Sequence, residues 1–253
     1  MTDLLIASGE ADARAVEAVE SHHAEMAGTL KMHVDAVVNA AKAHAPAGAA
    51  VDRLAAWCTS ELVPHALGEE RTLYPAAAAL PEGRLLVEAM VAEHAVITRL
   101  VEQISATLDP VAAATDAQAL WEIFASHLAK ENDLILPLLA ASPEVSVAEL
   151  LDGMHEILGG EPEGGCGSGH TCGCGGGDEE RLVLDVRTVP HAIRHATVFG
   201  ALDAVGPGTG LELVAPHDPL PLLAQIADRH HGAFAVEYLE SGPEAWRLLL
   251  TRD

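Results

Sequence analysis

HALGEERTLYP at residues 65–75 and HLAKENDLILP at residues 127–137 are one pattern written twice: a His, a Glu four positions later and a Pro ten positions after the His. Positions i and i+4 share one face of an α-helix about a turn apart, so each copy projects an imidazole and a carboxylate in the same direction. Around these copies the chain reads as helices near 11–44, 50–79, 84–108 and 116–141, with a shorter one near 145–158. Pro- and Gly-bearing breaks at AHAPAGAA, LPEG, LDP and ASPE separate them.

Each helix carries an apolar stripe in steps of three and four residues. The first runs Val16, Val19, His23, Met26, Leu30, His33, Val37, and the second Leu54, Cys58, Leu62, His65, Glu69, Leu73. The third runs Val87, Met90, His94, Ile97, Val101, Ile104, and the fourth Leu120, Ile123, His127, Glu131, Leu134, Leu138. Polar residues therefore sit on seams that face a core, where an unpaired polar group costs on the order of 1–3 kcal/mol.

Residues equidistant from a tight turn lie level in antiparallel helices. His23 and His65 are each 21 positions from residue 44, His94 and His127 are centred between 110 and 111, and Glu69 and His94 are centred between 81 and 82. All three turns place these residues at one height of an up-down four-helix bundle. Four imidazoles and two carboxylates meeting inside a bundle suit one or two first-row metal ions, with the carboxylates as bridges between a pair.

The segments SHHAEM, PHALGEERTLYP, AEHAVI and SHLAKENDLILP resemble those of the hemerythrin-like, His-His-Glu cation-binding proteins, over about residues 15–142. That resemblance implies a non-haem di-iron centre of two iron ions with His23, His65, Glu69, His94, His127 and Glu131 as ligands, Glu69 and Glu131 bridging. Hemerythrins proper carry a second His four residues after the third-helix ligand, where this chain has Thr98. The corresponding coordination position is open to water, O2, NO or peroxide, or is filled by another residue.

The other bundle residues read differently. His22 is the alternative to His23 as first-helix ligand, although it points about 100° away. His33 lies about 15 Å along the helix axis from His23, as a core or access-channel histidine, and His44 falls in a loop. Pro64 is expected to kink the second helix or open its hydrogen-bond ladder. Tyr74 reads as a packing residue, with a hydrogen-bond donor or radical trap near the metals as the alternative. Cys58 reads as a small core residue.

Residues 159–180, GGEPEGGCGSGHTCGCGGGDEE, hold ten of the 22 glycines and divide the chain into 1–158, a flexible linker and 181–253. Cys166, His170, Cys172 and Cys174 of this linker are the types and number of ligands for an additional zinc or iron ion, a redox thiol pair being the other reading. The last segment alternates as strand 181–187, helix 191–204, strand 210–215, helix 219–230, strand 233–239 and strand 245–251. This βαβαββ order is a two-layer sandwich, making the chain an α plus α/β protein.

LDVR, APHDPLPLL and EYLESGPEAWRLLL resemble an uncharacterised family related to the TusA-like sulfur-carrier fold, found beside hemerythrin-like domains. Sulfur carriers hold a reactive Cys before their first helix; here TVPHAIRH stands instead, with no Cys after 174. His191, His195, His217 and Asp218 are candidates for a ligand pocket, the plainer reading being surface histidines and Asp218 as a helix cap.

Lys and Arg total 14 against 38 Asp and Glu, for a net charge of -24, which argues against binding to phosphate backbones or acidic membrane surfaces. No run of about 18 apolar residues suggests a membrane span. The N-terminus lacks a basic segment followed by an apolar core, and only four Cys are present, so a cytoplasmic setting is expected. The sequence thus points to a di-iron protein that binds or reacts with O2, NO or peroxide. The alternative is a metal-dependent iron or redox sensor or store, signalling to a redox or protein partner through the C-terminal domain.

Overall fold

A computed structural model describes residues 9–158, 182–189 and 191–252. The chain begins with one continuous helix, α1 (Glu10–Lys42), followed by α2 (Gly48–Trp57), a π turn (Cys58–Leu62), α3 (Val63–Arg71) and α4 (Leu73–Ala79). Then come α5 (Arg84–Ala106), α6 (Pro110–Lys130), a second π turn (Glu131–Ile135), α7 (Leu136–Ala140) and α8 (Val147–Leu158). The up-down bundle expected from the seams is present. The fourth helix starts at Pro110 rather than 116, because Asp109 caps it by accepting from the Val111 N–H at 2.9 Å and Pro110 suits the first turn.

Two of the long helices are interrupted where prolines demand it. Pro64 and Pro137 cannot donate to the carbonyls four residues back, and their rings crowd those carbonyls. In both places the ladder widens just upstream: Val63 bonds to the Cys58 carbonyl and Leu136 to the Glu131 carbonyl, five residues back. This realises the opening expected at Pro64.

It also corrects the fourth seam. The residue absorbed by the second π turn moves the buried stripe from Leu134 and Leu138 to Ile135 and Leu139, leaving Leu134 49% exposed. The second helix breaks once more at Thr72, whose backbone leaves the helical region and whose hydroxyl donates to the Gly68 carbonyl at 2.9 Å. Helix α8 folds back along the bundle, its N-terminus held by Asp12 of α1, which accepts from the Ala148 N–H at 3.1 Å.

The bundle interior falls into two apolar clusters. One contains Leu30, Leu54, Leu62, Ile97, Phe124 and Leu128; the other contains Val19, Tyr74, Met90, Ile135 and Leu139. The buried His and Glu residues lie between them.

The C-terminal part runs β1 (Leu182–Asp185), a 3-10 turn, α9 (His191–Asp203), β2 (Gly210–Ala215), α10 (Leu220–Arg229), β3 (Phe234–Ser241) and β4 (Trp246–Arg252). Its sheet order is β1-β2-β4-β3, with β1 parallel to β2 (Leu184↔Leu213) and β4 antiparallel to both β2 (Leu213↔Leu248) and β3 (Val236↔Leu250). Leu211, Leu213, Leu248 and Leu250 are buried with Val198, Leu202, Leu222 and Ile226 of the helices, the two-layer sandwich read from the sequence. The linker residues 159–180, with the Cys166, His170, Cys172, Cys174 proposal, lie outside the described residues. No helix among the described residues is long and apolar enough to cross a membrane.

Helix α9 crosses α1 with backbones touching. A Cβ on Gly28 would stand 2.5 Å from the Ala201 nitrogen, and one on Gly200 would stand 2.5 Å from the Glu25 Cα. Nearby, the buried Lys31 ammonium pairs with Asp35, whose second oxygen accepts from the Asp185 N–H at 3.3 Å. Gly28→Val should therefore destabilise the crossing by roughly 1–3 kcal/mol. Hydrogen exchange is the check: amides of β1 and β2 should lose protection first.

Candidate metal centre

The six residues singled out by spacing meet in one buried layer. His23, His65, Glu69, His94, His127 and Glu131 are each 5% exposed or less. They form two overlapping groups, His23, His65 and Glu69, and Glu69, His94, His127 and Glu131, within which one donor atom from each residue lies within 4.8 Å of the others. Both carboxylates span the groups. Glu69 turns Oε1 to His65 Nε2 (3.0 Å) and His23 Nε2 (3.4 Å) and Oε2 to His94 Nε2 (3.6 Å). Glu131 turns Oε1 to His127 Nε2 (3.4 Å) and Oε2 to His23 Nε2 (3.8 Å).

Three of the four rings are aimed by a residue on another helix. His23 Nδ1 lies 2.7 Å from Asn132 Oδ1, His94 Nδ1 2.8 Å from Glu70 Oε1, and His127 Nδ1 3.0 Å from Glu93 Oε2, with Lys130 pairing Glu93 in turn. Donation from Nδ1 fixes the tautomer and leaves the Nε2 lone pair facing inward. His94 and His127 then bring their Nε2 atoms to 2.9 Å. Two ring nitrogens at that distance, beside two carboxylates, are held together by a proton or a metal cation between them.

Orphaned atoms indicate what the layer is built for. His23 Nε2, both His65 ring nitrogens, Glu69 Oε1 and Glu131 Oε2 are buried without a hydrogen-bond partner. Such vacancies cost about 1–3 kcal/mol each in a satisfied core and are removed by a shared cation. Charge tells the same story. Burial acts to raise the Glu69 pKa, yet His65 and His23 hold it well below the usual carboxylate range. Burial lowers that of His23, but Glu69 and Glu131 outweigh it and bring it up to about 9. The donor set fits one or two first-row metal ions.

Above the layer is a cavity of about 10 Å3, bounded by His65, Glu69, His94, His127 and Glu131 below and by Leu62, Ala66, Ile97, Phe124 and Leu128. That is close to the smallest space that holds one water molecule, roughly 10–15 Å3. From the opposite cluster Tyr74 reaches up, its hydroxyl 2.5 Å from Glu131 Oε1, 3.2 Å from His127 Nε2 and 3.4 Å from His94 Nε2. Tyr74 therefore does more than pack. Burial, then Glu131 and Glu69, push its phenol pKa up.

The remaining candidates separate cleanly. His22 is exposed with its ring 5.0 Å from that of His65, whereas His23 is 1% exposed, so His23 is the residue that faces the layer. Thr98 is exposed and takes no part. His44 sits in the α1–α2 loop with positive φ, and His33 packs near Trp57. Cys58 is fully buried, its thiol pKa pushed up to about 12.

Asp218 does not cap α10: its carboxylate instead accepts from the Tyr238 hydroxyl at 2.9 Å, and Pro219 occupies the cap. His217 is exposed beside it, and the side chains of His191 and His195 lie outside those described. The sequence reading missed Glu70, Glu93 and Asn132, although each stands next to a ligand candidate in the chain.

A helical bundle in which two carboxylates and four inward imidazoles converge in one buried layer has the architecture of a carboxylate-histidine metal-binding protein. Residues 14–139 match the hemerythrin HHE cation binding domain, and residues 183–252 match an uncharacterized conserved protein family, DUF2249. The chain thus carries a hemerythrin HHE domain joined to a C-terminal DUF2249 domain, and its buried His and Glu groups fit a di-iron site. No curated protein and no solved structure matches the chain.

Two predictions arise here. Glu93→Gln weakens the acceptor that orients His127 and should lower metal affinity about 10–100-fold, measured by competition with a chelator. Burial, then Arg53, lowers the His33 pKa from 6.5 to about 4, so the folded protein favours the neutral ring. That contribution is complete above pH 6.5 and is lost as pH falls toward 4, on the order of 3 kcal/mol at 1.36 kcal/mol per unit. His33→Gln should flatten this part of the melting-temperature profile.

Proposed function

We propose that the bundle is a non-haem di-iron centre that binds or reacts with a small ligand, O2, NO or peroxide. His23, His65, Glu69, His94, His127 and Glu131 hold the metals, Glu69 and Glu131 joining the two positions. The observation that carries this reading is the small cavity pressed between the His/Glu layer and apolar Leu62, Ile97, Phe124 and Leu128. A space of about 10 Å3 suits a ligand of very few atoms. A pair of iron ions supplies the site with an exchangeable binding position and a one-electron change at each metal.

The protein contributes the rest. Glu70, Glu93 and Asn132 keep three imidazoles oriented, the apolar wall limits access of bulk water, and the Tyr74 hydroxyl closes the layer from below, 2.5 Å from Glu131 Oε1. In this reading the protein acts in the cytoplasm, with its C-terminal domain as the surface for a redox or protein partner.

A second reading, a metal-dependent sensor or store, is favoured by one feature. Helix α1 presents His23 to the metal layer and Gly28 to α9, so a shift of the helix on metal binding reaches the C-terminal domain directly.

Elemental analysis of the full chain, purified without oxygen, should find two irons per chain, and titration with O2, NO or peroxide should change its visible spectrum. His65→Ala and His127→Ala should each remove most of the metal, whereas His44→Ala should not. Equal loss from His44→Ala, or protein loaded only with zinc, would overturn the reading. Metal-dependent folding without any spectral response would select the sensor.

A further inference from the structure

We propose that Tyr74 is itself a metal ligand, completing the coordination of the ion held by His94, His127, Glu69 and Glu131, so that the two metal positions of this chain are chemically unequal. The inference rests on the di-iron reading above and adds a residue to it.

Three observations lead there. The Tyr74 hydroxyl lies among the donor atoms of that group, 2.5 Å from Glu131 Oε1 and within 3.4 Å of both His94 Nε2 and His127 Nε2. An oxygen that approaches one carboxylate and two inward lone pairs is placed where a cation serving those three atoms can also be reached. Tyr74 approaches no atom of the other pair, His23 and His65, among its hydrogen bonds.

The backbone is built to bring it there. Tyr74 follows Glu69 by five residues, which on an unbroken helix would turn it roughly 140° away from the metal face. The break at Thr72, where φ is -123° and ψ is -74°, ends α3 and starts α4, redirecting the next turn so that Tyr74 is 1% exposed and points back at the layer. The Thr72 hydroxyl and Pro75 both support that break. A hydroxyl meant only to fill the lower core would not need it.

The internal repeat marks the same position. In HALGEERTLYP and HLAKENDLILP, the His, Glu and Pro coincide, but Tyr74 in the first copy is matched by Leu136 in the second. Leu136 is buried in apolar surroundings. The two half-sites are thus alike in their His and Glu and differ in one oxygen donor, supplied from the lower side while the ligand cavity lies on the upper side.

Coordination breaks the phenol O–H bond, releases the proton to solvent and forms an oxygen–metal bond, as for any ligand that binds deprotonated.

The test is made on the full chain loaded with iron and oxidised to the ferric state, with iron content measured on the same sample. A phenolate-to-iron charge-transfer band is expected in the visible, and resonance Raman excited within it should show phenolate ring modes that shift when the protein is made with ring-deuterated tyrosine. The chain has only two tyrosines, and Tyr238 is 40% exposed on β3. Tyr238→Phe should therefore keep the modes. Tyr74→Phe should abolish them while retaining bound iron. If Tyr74→Phe does not fold, the wild-type and Tyr238→Phe spectra decide the matter alone.

Two irons without phenolate modes would reduce Tyr74 to a hydrogen-bond donor and leave the di-iron reading standing. Modes lost in Tyr238→Phe, or kept in Tyr74→Phe, would overturn the assignment to Tyr74. A chain that takes up no iron under any loading condition would overturn both.

Discussion

Buried donors and acceptors that converge on one point, with too few protons between them, form the constraint on which the bundle is organised. His23, His65, Glu69, His94, His127 and Glu131 cannot satisfy one another: several of their inward atoms have no hydrogen-bond partner. A fold that tolerates this cost of desolvation must recover it from a cation. The layer also divides the apolar interior into two clusters, so neither cluster is continuous across the bundle and the helices must be level at the site to within a side chain's reach.

Two irregular turns lie directly beside the ligands of that layer. In both copies of the motif the helix that presents His and Glu to one point changes its phase after the second ligand. After Glu131 the π turn does so, and after Glu69 the break at Thr72 does. The prolines of the repeated motif, Pro75 and Pro137, sit just beyond these two changes of phase. Wider turns and breaks beside a functional residue are a familiar use of such distortions.

Much of this was legible in the chain. His, Glu and turn positions needed only the arithmetic of i and i+4 spacing and of equal distances from three loops, and the βαβαββ order needed only alternation and punctuation. Leu134 and Leu138 were misplaced because regular helical periodicity cannot register an inserted residue. Asp218 was misread because a carboxylate before Pro219 resembles a cap, while its partner, Tyr238, is twenty residues away. The orienting residues were hidden for a more general reason. Glu70, Glu93 and Asn132 each stand beside one ligand candidate but serve another on a different helix: from α3 to α5, from α5 to α6, and from the turn after α6 to α1. Such support passes from helix to helix around the bundle, and no local pattern encodes it.

The crossing of α1 and α9 changes what counts as a unit in this molecule. By family the chain is two domains, yet the outer side of α1 is buried against α9, and from the same helix Asp35, paired with Lys31, accepts from the Asp185 amide. Separation of the halves would break the hydrogen bond from the Asp185 N–H to Asp35 and uncover the apolar contacts around it, together with the helix side that carries Gly28. The two domains are therefore coupled through α1, and in the unaltered chain heat or denaturant should report a shared midpoint for probes in the bundle and in the sheet, which a loosened crossing such as Gly28→Val would split.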